Sequence, residues 1–408
     1  MKNFLFAIFL FSCSSLIAQP GSLQDYKVVK EFSSSQMKAF FDELHIPRLF
    51  LGAKAGVSIY EIIYTTMYAD STTVKASGLL YVPQGEKRQL PTLVYNHGTE
   101  ICRDREFNGR DEQTICLGFA TDGYIVLCPD YVGMGKGDRA HLYLNAFTES
   151  HASVDMLISV QDLLPQLGAT PGKQLFLSGY SQGGHASMAT HRLIQNEYGD
   201  RFTVTAASPM SGPYDIHQTV YSERYKKYTY PGYLMLLLQS YFESHNAFLK
   251  MHEALKAPYN QQIPPLMNGT WPMEVINDLM PDTAFRSVTD DFLKAFEDDA
   301  QSPFRKYLQE NNVFDWKPDA PVQLCFCDGD KQVTYKNSVT AFQTMKRNGS
   351  DKVELKRAGK KFDHFNCALF AVMYTKMFFD GYVHGRPGSH GPYFQRMLLR
   401  MGRLVMKK

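Results

Sequence analysis

The chain has almost no excess of charge, because 43 lysines and arginines are balanced by 41 acidic residues and the formal net charge is +2. This balance gives no global argument for binding to nucleic acid. The sequence also has no internal repeat and no low-complexity tract, which argues against solenoids and propellers. Its apolar share of 44% is ample for a buried core. Length and composition together indicate one large domain with an insertion, or two small domains.

Long apolar runs are absent except at the start of the chain, at residues 4–11. That run is too short to span a bilayer. Lys2 precedes it and small residues follow as far as Ala18, which is the pattern of a secretory signal peptide cleaved after Ala18. A second interpretation stays open, since the residues before Cys13 loosely resemble a lipobox, and Cys13 would then be acylated. We therefore predict export, to the periplasm or the medium, with residues 1–18 as the signal peptide.

Cysteine is scarce, and six cysteines remain after the predicted cleavage: Cys102, Cys116, Cys128, Cys325, Cys327 and Cys367. Their spacing contains no paired CxxC motif, so we predict no zinc site. An exported chain meets an oxidising compartment, where disulfides can form. Cys102 and Cys116 lie in one polar loop that they could close, but the sequence leaves the connectivity open.

The strongest local signal is a short apolar run, residues 175–177, followed closely by a helical pattern that starts at Gln182. Ser181 lies at the sharp turn between them, flanked by Gly179 and Gly183. Such a turn has no room for neighbouring side chains and holds the serine hydroxyl above the sheet edge. We therefore predict that Ser181 is a nucleophile. The alternative is an ordinary strand-to-helix turn rich in glycine and serine.

Further short apolar runs predict strands at 57–67, 73–82, 92–96, 124–128, 203–208, 322–327 and 353–356. Helices are predicted at 35–44, 148–167 and 368–379. The first two strands should form an antiparallel pair. The later alternation of strands and helices predicts a doubly wound, mostly parallel α/β sheet covered on both faces. Ligands of such sheets bind beyond the carboxyl ends of the strands.

A nucleophilic serine needs a base, and a histidine base needs a carboxylate that orients it. In this architecture the chain order is serine, acid, histidine, each after a strand. Asp330 follows the strand at 322–327 and is preferred to Asp328, which we interpret as a turn residue. His364 follows the last strand and is the predicted base. Three other histidines fall inside predicted helices and are interpreted as structural: His151, His185 and His191.

Two backbone N–H groups are predicted to stabilise a negatively charged oxygen at this site. One is that of Gln182, at the start of the helix after Ser181. The other is that of Thr99, in the loop after the strand at 92–96. Gly98 lets this backbone approach closely, and His97 is expected to orient the loop.

These motifs resemble the α/β-hydrolase superfamily over most of the chain, in the segments Asn96-His-Gly-Thr, Pro129-Asp-Tyr, Gly179-Tyr-Ser-Gln-Gly-Gly and Asp330-x-x-Val, and in His364. Within it, the chain is most similar to secreted lipases and esterases of the secretory-lipase type. The resemblance implies a fold with an inserted helical cap and a hydrolytic reaction that needs no cofactor or metal. The loop reads His-Gly-Thr where some esterases have His-Gly-Gly-Gly, so the acyl-chain preference stays open.

The cap is expected at 212–318, between a first core part at 19–211 and a second part with the tail at 319–408. It lacks convincing strands and has helical patches at 233–249 and 291–309. The apolar run from Tyr233 is interpreted either as a buried cap helix or as a lid that lines an acyl pocket. The basic tail from Arg396 suggests a surface helix or a transient contact with a lipid surface.

We therefore expect an exported serine hydrolase that cleaves carboxylic esters through an acyl-enzyme intermediate. Its partner would be a small-molecule, lipid or polysaccharide ester, with no nucleic acid, and the oligomeric state stays open. A serine exopeptidase on the same fold is the alternative, and would need charged pocket residues such as Glu243, Asp278 or Glu297. A binding protein on a degenerate hydrolase fold is a third hypothesis, but such chains usually lose a member of the triad.

Overall fold

The computed structural model describes residues 19–46, 51–104 and 107–387. The predicted signal peptide, Cys13 and the basic tail from Arg396 lie outside these residues. No helix in the described ranges is long and apolar enough to cross a membrane.

The described residues form one nine-stranded sheet with the order β1-β2-β3-β5-β4-β6-β7-β8-β9. The strands are β1 Leu23–Phe32, β2 Val57–Met67, β3 Thr73–Pro83, β4 Gln89–Asn96, β5 Ile125–Pro129, β6 Thr170–Tyr180, β7 Val204–Met210, β8 Val322–Cys327 and β9 Val353–Gly359. Neighbours from β1 to β5 are antiparallel, and all neighbours from β5 to β9 are parallel. The fold is thus a mostly parallel α/β-hydrolase sheet, as predicted.

The α-helices of the described residues are α1 Ser34–Glu43, α2 Asp111–Thr121, α3 Ala146–Ser159, α4 Gln182–Glu197, α5 Ile216–Glu223, α6 Gly232–Ser244, α7 Met251–Ala254, α8 Tyr259–Gln262, α9 Met273–Leu279, α10 Asp290–Asp298, α11 Pro303–Glu310, α12 Lys336–Arg347 and α13 His364–Val383. Two apolar clusters fill the two faces of the sheet. Because helices cover both faces, β5 and β8 are buried along their whole length.

Several elements differ from the sequence-based prediction. Strand β1 was not predicted, because most of its side chains are exposed and it lacks the apolar signal of a buried strand. Helices α2 and α12 were not predicted either. The patch at 291–309 is two helices, since Pro303 starts α11 and disfavours a helical residue before it. Helix α13 begins earlier than predicted because the Asp363 side chain accepts the Asn366 N–H and caps it.

Between β7 and β8 the described chain is helical, from α5 to α11, with no strand beyond one isolated bridge. This segment has an apolar cluster of its own, which includes the buried face of α6. We call the segment from α5 to α11 the cap.

One disulfide joins Cys327 at the end of β8 to Cys367 in α13. Cys102 is a free thiol, so the loop closure between Cys102 and Cys116 is not formed. The disulfide lies between the two loops that carry Asp330 and His364, and it fixes the end of β8 to the start of α13.

Candidate active site

Ser181 stands at the turn between β6 and α4 with φ 59° and ψ −120°, a left-handed backbone that non-glycine residues rarely adopt. Its own N–H donates to the Met210 carbonyl at 3.0 Å. A Cβ on Gly183 would lie 1.9 Å from the Asn96 carbonyl oxygen, so only glycine fits there. The neighbouring strands therefore hold the strained turn in place, as the nucleophile motif predicts.

Asp330 and His364 form a buried pair, with 2.6 Å between Asp330 Oδ2 and His364 Nδ1. The other carboxylate oxygen accepts the backbone N–H groups of Gln332 and Val333 at 3.0 and 2.9 Å. Asp328 instead pairs with Arg357 at the surface. Of the two candidate acids, the structure brings Asp330 to the histidine, because its loop turns inward at Val333.

Three further contacts fix His364. It is the first residue of α13, which Asp363 caps. The Tyr180 hydroxyl donates to the His364 carbonyl at 2.5 Å, and the two rings lie 4.9 Å apart. The Cys327–Cys367 disulfide closes just behind. The residue that precedes Ser181 therefore also positions the histidine.

The loop after β4 lies beside this turn because Asn96 of β4 pairs with Gly179 of β6. The Gly98 N–H donates to Glu112 Oε2 at 2.5 Å. The His97 ring contacts the Gly98 carbonyl at 2.7 Å, and its own carbonyl accepts the Tyr131 hydroxyl at 2.9 Å. His97 thus orients the loop, in the way that the sequence suggested.

Thr99 follows in the same loop, and its hydroxyl donates to the Tyr143 hydroxyl at 3.3 Å. Gln182 is the first residue of α4, where a helix has N–H groups without intrahelical acceptors. Gln182 therefore directly follows Ser181, and Thr99 lines the same cleft as Ser181.

Two cavities reach Ser181. A cleft of about 750 Å³, open to solvent, contains Ser181, His364, Gly98, Thr99, Tyr180, Glu112, Leu44, Phe365 and Leu369. On the other side, a smaller and mostly apolar cavity of about 90 Å³ runs into the cap and contains Ser181, Tyr143, Pro213, Ile216, Tyr228, Tyr233, Leu234, Leu237 and Val333. Ser181 stands where the two meet.

The phenols around the cavity are neutral. Burial raises the pKa of Tyr143 and that of Tyr228, and burial together with the charge of Asp330 raises the pKa of Tyr180. These hydroxyls therefore stay protonated and can donate hydrogen bonds. In the described part of the chain, no group of three or more His, Cys, Asp or Glu residues could hold a metal ion.

Three residues support the site although no sequence pattern predicts that role for them: Glu112, Tyr180 and Glu149. Glu112 accepts the Gly98 N–H, and Tyr180 donates to the His364 carbonyl. Glu149 of α3 is buried behind α4, next to Gln182 and His185. No local pattern marks these residues, since each acts across a long sequence separation. An acidic residue inside the otherwise buried face of α3 was the one available signal for Glu149.

Many solved structures resemble this chain, among them the following three. The rice cell wall degrading esterase LipA from Xanthomonas oryzae is 27% identical, with a TM-score of 0.77, over 88% of this chain and 96% of LipA. A protein from Legionella pneumophila is 26% identical, with a TM-score of 0.79, over 88% of this chain and 98% of that chain. Candida antarctica lipase A shares the fold at 15% identity and a TM-score of 0.66, over 92% of this chain and 88% of that chain.

No curated protein sequence matches the chain. A model of the secretory lipase family, however, matches residues 108–375, which is about two thirds of the chain. The matched region contains the turn at Ser181, the whole cap and the Asp330–His364 pair. The chain therefore belongs to the secretory lipase family and is a carboxylic-ester hydrolase with the α/β-hydrolase fold.

Proposed function

We propose that Ser181, His364 and Asp330 form the catalytic triad of this hydrolase. The observation that carries the proposal is the Asp330–His364 contact at the edge of the cleft that Ser181 also lines. His364 takes the hydroxyl proton while Ser181 Oγ attacks the ester carbonyl carbon. The same proton then goes to the departing alcohol, which leaves an acyl-enzyme. Water, deprotonated by His364, releases the acid and restores Ser181.

The oxygen that becomes negative in each tetrahedral intermediate is stabilised by the N–H groups of Thr99 and Gln182 in this proposal. The contacts of Gly98 with Glu112 and of His97 with Tyr131 support the first donor, since they fix the loop that carries it. The position of Gln182 at a helix start supports the second. Such donors are typically worth about a hundred- to a thousandfold in rate each.

The two cavities suggest how an ester is divided. We assign the acyl chain to the apolar cavity inside the cap and the alcohol to the wide cleft. Tyr233, Leu234 and Leu237 of α6 line the acyl side, while other leucines of that helix are buried in the cap core. In this assignment α6 is both a buried cap helix and part of the wall of the acyl pocket. A cleft of this size suits a bulky alcohol, from a lipid or a polysaccharide.

The three acidic residues named for the exopeptidase alternative lie outside both cavities at Ser181, although Glu223 and Lys226 line part of the cap-side cavity. Glu297 pairs with Arg224 at 2.5 Å on the cap. Among the residues described, neither Glu243, Asp278 nor Glu297 lines the two cavities at Ser181. The apolar lining on the cap side favours an ester with an aliphatic acyl group.

Export and domain division complete the proposal. The family is one of secretory lipases, which supports the signal peptide at 1–18. We propose a mature protein that starts after Ala18, with the core at 19–211 and 319–408 and the cap at 212–318. Mass spectrometry of the exported protein separates this start from one at an acylated Cys13.

The test is hydrolysis of a series of p-nitrophenyl esters, from acetate to palmitate, by the mature protein and by Ser181→Ala. We expect turnover that peaks at one acyl length and is lost in the variant. Turnover retained by Ser181→Ala would contradict the triad. Aminoacyl p-nitroanilides, assayed in parallel, should not be cleaved, and their cleavage in preference to the esters would favour the exopeptidase.

A further inference from the structure

A second acid–histidine pair lies sealed behind the nucleophile turn. Glu149 of α3 and His185 of α4 are both fully buried, and Glu149 Oε2 lies 2.7 Å from His185 Nδ1. Glu149 Oε1 accepts the side-chain amide of Gln182 at 2.8 Å and the Leu144 N–H at 3.2 Å. The triad proposed above does not use this pair.

The proton positions in the pair follow from its partners. His185 Nε2 lies 2.8 Å from the Asn311 carbonyl oxygen, which can only accept, so Nε2 carries a hydrogen. One further proton is shared between His185 Nδ1 and Glu149 Oε2, so the pair as a whole is neutral. Both ring nitrogens are engaged, and His185 therefore cannot act as a base toward substrate. A buried pair of this kind is strongly sensitive to loss of either partner.

Gln182 is held from two sides by the same network. Its amide nitrogen has two hydrogens, one directed at Glu149 Oε1 and the other at His141 Nε2, 3.2 Å away. His141 Nδ1 lies 3.1 Å from the Val132 carbonyl, so the hydrogen is on Nδ1 and Nε2 accepts. The proton of the pair lies on the Oε2 side, so Glu149 Oε1 has no hydrogen to donate and the Gln182 amide must turn its nitrogen toward it.

The network also reaches the cap. Asn311 ends α11, where the cap returns to the sheet. Its carbonyl accepts from His185, and its side-chain oxygen accepts the Ala146 N–H at the start of α3 at 2.8 Å. One set of buried hydrogen bonds thus joins the first residue of α4, helix α3 and the end of the cap.

We propose that Glu149 and His185 are positioning residues that hold Gln182, and through it one oxyanion donor, in register with Ser181. The inference rests on the proposed function, because it takes the Gln182 N–H as that donor. Gln182 directly follows Ser181, and a side chain fixed by two hydrogen bonds leaves its backbone no freedom to turn the N–H away. Such preorganisation acts on the transition state more than on substrate binding.

The test compares Glu149→Met and Gln182→Met with the wild type on one p-nitrophenyl ester. Both variants keep the backbone N–H of Gln182 or its replacement, and both remove the hydrogen bond between the two side chains. We expect kcat to fall about 10- to 100-fold, since misplaced catalytic groups cost rate on this scale, with KM changed less than about threefold. The inhibition constant of phenylboronic acid should rise by a similar factor, because the tetrahedral boronate places an oxygen against the same donors.

Asp155→Asn is the matched control, since Asp155 is a buried carboxylate on the same helix whose partner is Thr66, at 2.7 Å. Its kcat and boronate affinity should equal those of the wild type. Gln182→Met leaves the Glu149–His185 contact in place, so it carries the test if thermal unfolding shows that Glu149→Met does not fold.

Wild-type kcat and boronate affinity in folded Glu149→Met and Gln182→Met would overturn the positioning role while leaving the triad intact. Equal loss of kcat in Asp155→Asn would also overturn it, because the effect would then be one of helix stability. Turnover that survives Ser181→Ala would remove the nucleophile, and with it the oxyanion role on which the pair depends.

Discussion

The molecule contains two buried acid–histidine pairs, and they differ in what surrounds the imidazole. In Asp330–His364 the ring lies at the wall of the open cleft, and Asp330 holds its Nδ1. In Glu149–His185 both ring nitrogens are bound within the protein, by Glu149 and by the Asn311 carbonyl. The contact distances are nearly the same, 2.6 and 2.7 Å. Access to a cleft, and not the contact itself, therefore distinguishes the proposed base His364 from His185.

The carboxylates differ in the same way. Asp330 accepts two backbone N–H groups besides His364, so its loop is fixed locally. Glu149 accepts a side-chain amide and an N–H from before α3, so it joins separate segments. Asp155, a third buried acid, has a different kind of partner, the Thr66 hydroxyl, which donates to it at 2.7 Å. The three buried acids thus differ in the partners that hold them.

The largest effect is expected at the cleft pair. Replacement His364→Ala removes the proposed base and should lower kcat by about ten-thousandfold or more on any ester, because removal of a triad member leaves only binding and oxyanion stabilisation. Stopped assays with p-nitrophenyl butyrate measure it. His384→Ala, at the other end of the same helix, is the control and should keep wild-type kcat. A loss of less than tenfold in His364→Ala would assign the base elsewhere.

Asp155, whose partner is the uncharged Thr66 hydroxyl, predicts a dependence of the unfolding free energy on pH. Burial raises the pKa of Asp155 to about 7 from an ordinary 3.8. Below pH 4 Asp155 is protonated in both folded and unfolded chains. As pH rises toward 7 the unfolded chain loses this proton first, so the stabilisation present at low pH is lost, by roughly 4 kcal/mol in all.

Urea unfolding of the wild type and Asp155→Asn at several pH values measures this loss. The difference in unfolding free energy between the two proteins should change in favour of the variant between pH 4 and 8. Parallel stability curves over that range would show that Asp155 titrates normally.

The disulfide beside the cleft pair has no counterpart beside the sealed pair. Replacing both Cys327 and Cys367 by alanine should lower the unfolding free energy by about 2 to 5 kcal/mol, because the closed loop restricts the unfolded chain. Chemical denaturation checks it, with Cys102→Ala as the control for loss of a free thiol. An unchanged midpoint in the double variant would mean that the two loops are held by their other contacts alone.

The smallest effect is expected in the cap, which supplies most of the lining of the apolar cavity but no member of either acid–histidine pair. Leu237→Phe narrows the apolar cavity and should lower kcat/KM for long acyl esters about ten- to thirtyfold, with little effect on acetate. The exposed cap residue Leu279 serves as control when replaced by phenylalanine. Unchanged kcat/KM for the long esters in Leu237→Phe would place the acyl chain in the wide cleft instead.

Local patterns predicted the strands of the parallel sheet and the turn at Ser181, because a short apolar run between glycines has few other interpretations. Chain order and the ends of strands also selected Asp330 and His364 as a pair, and the structure brings these two side chains into contact. They could not predict β1, whose side chains are mostly exposed, nor Glu149, whose partners are far away in sequence. His185 was interpreted as structural, and its helix position gave no sign of the carboxylate opposite.

The central claim, that Ser181 is the nucleophile, is tested most directly by labelling the mature protein with a p-nitrophenyl phosphonate and mapping the adduct by mass spectrometry. The account predicts one adduct per chain, on Ser181, formed together with loss of ester turnover and absent in Ser181→Ala. An adduct on any other residue, or full turnover after stoichiometric labelling of Ser181, would contradict it.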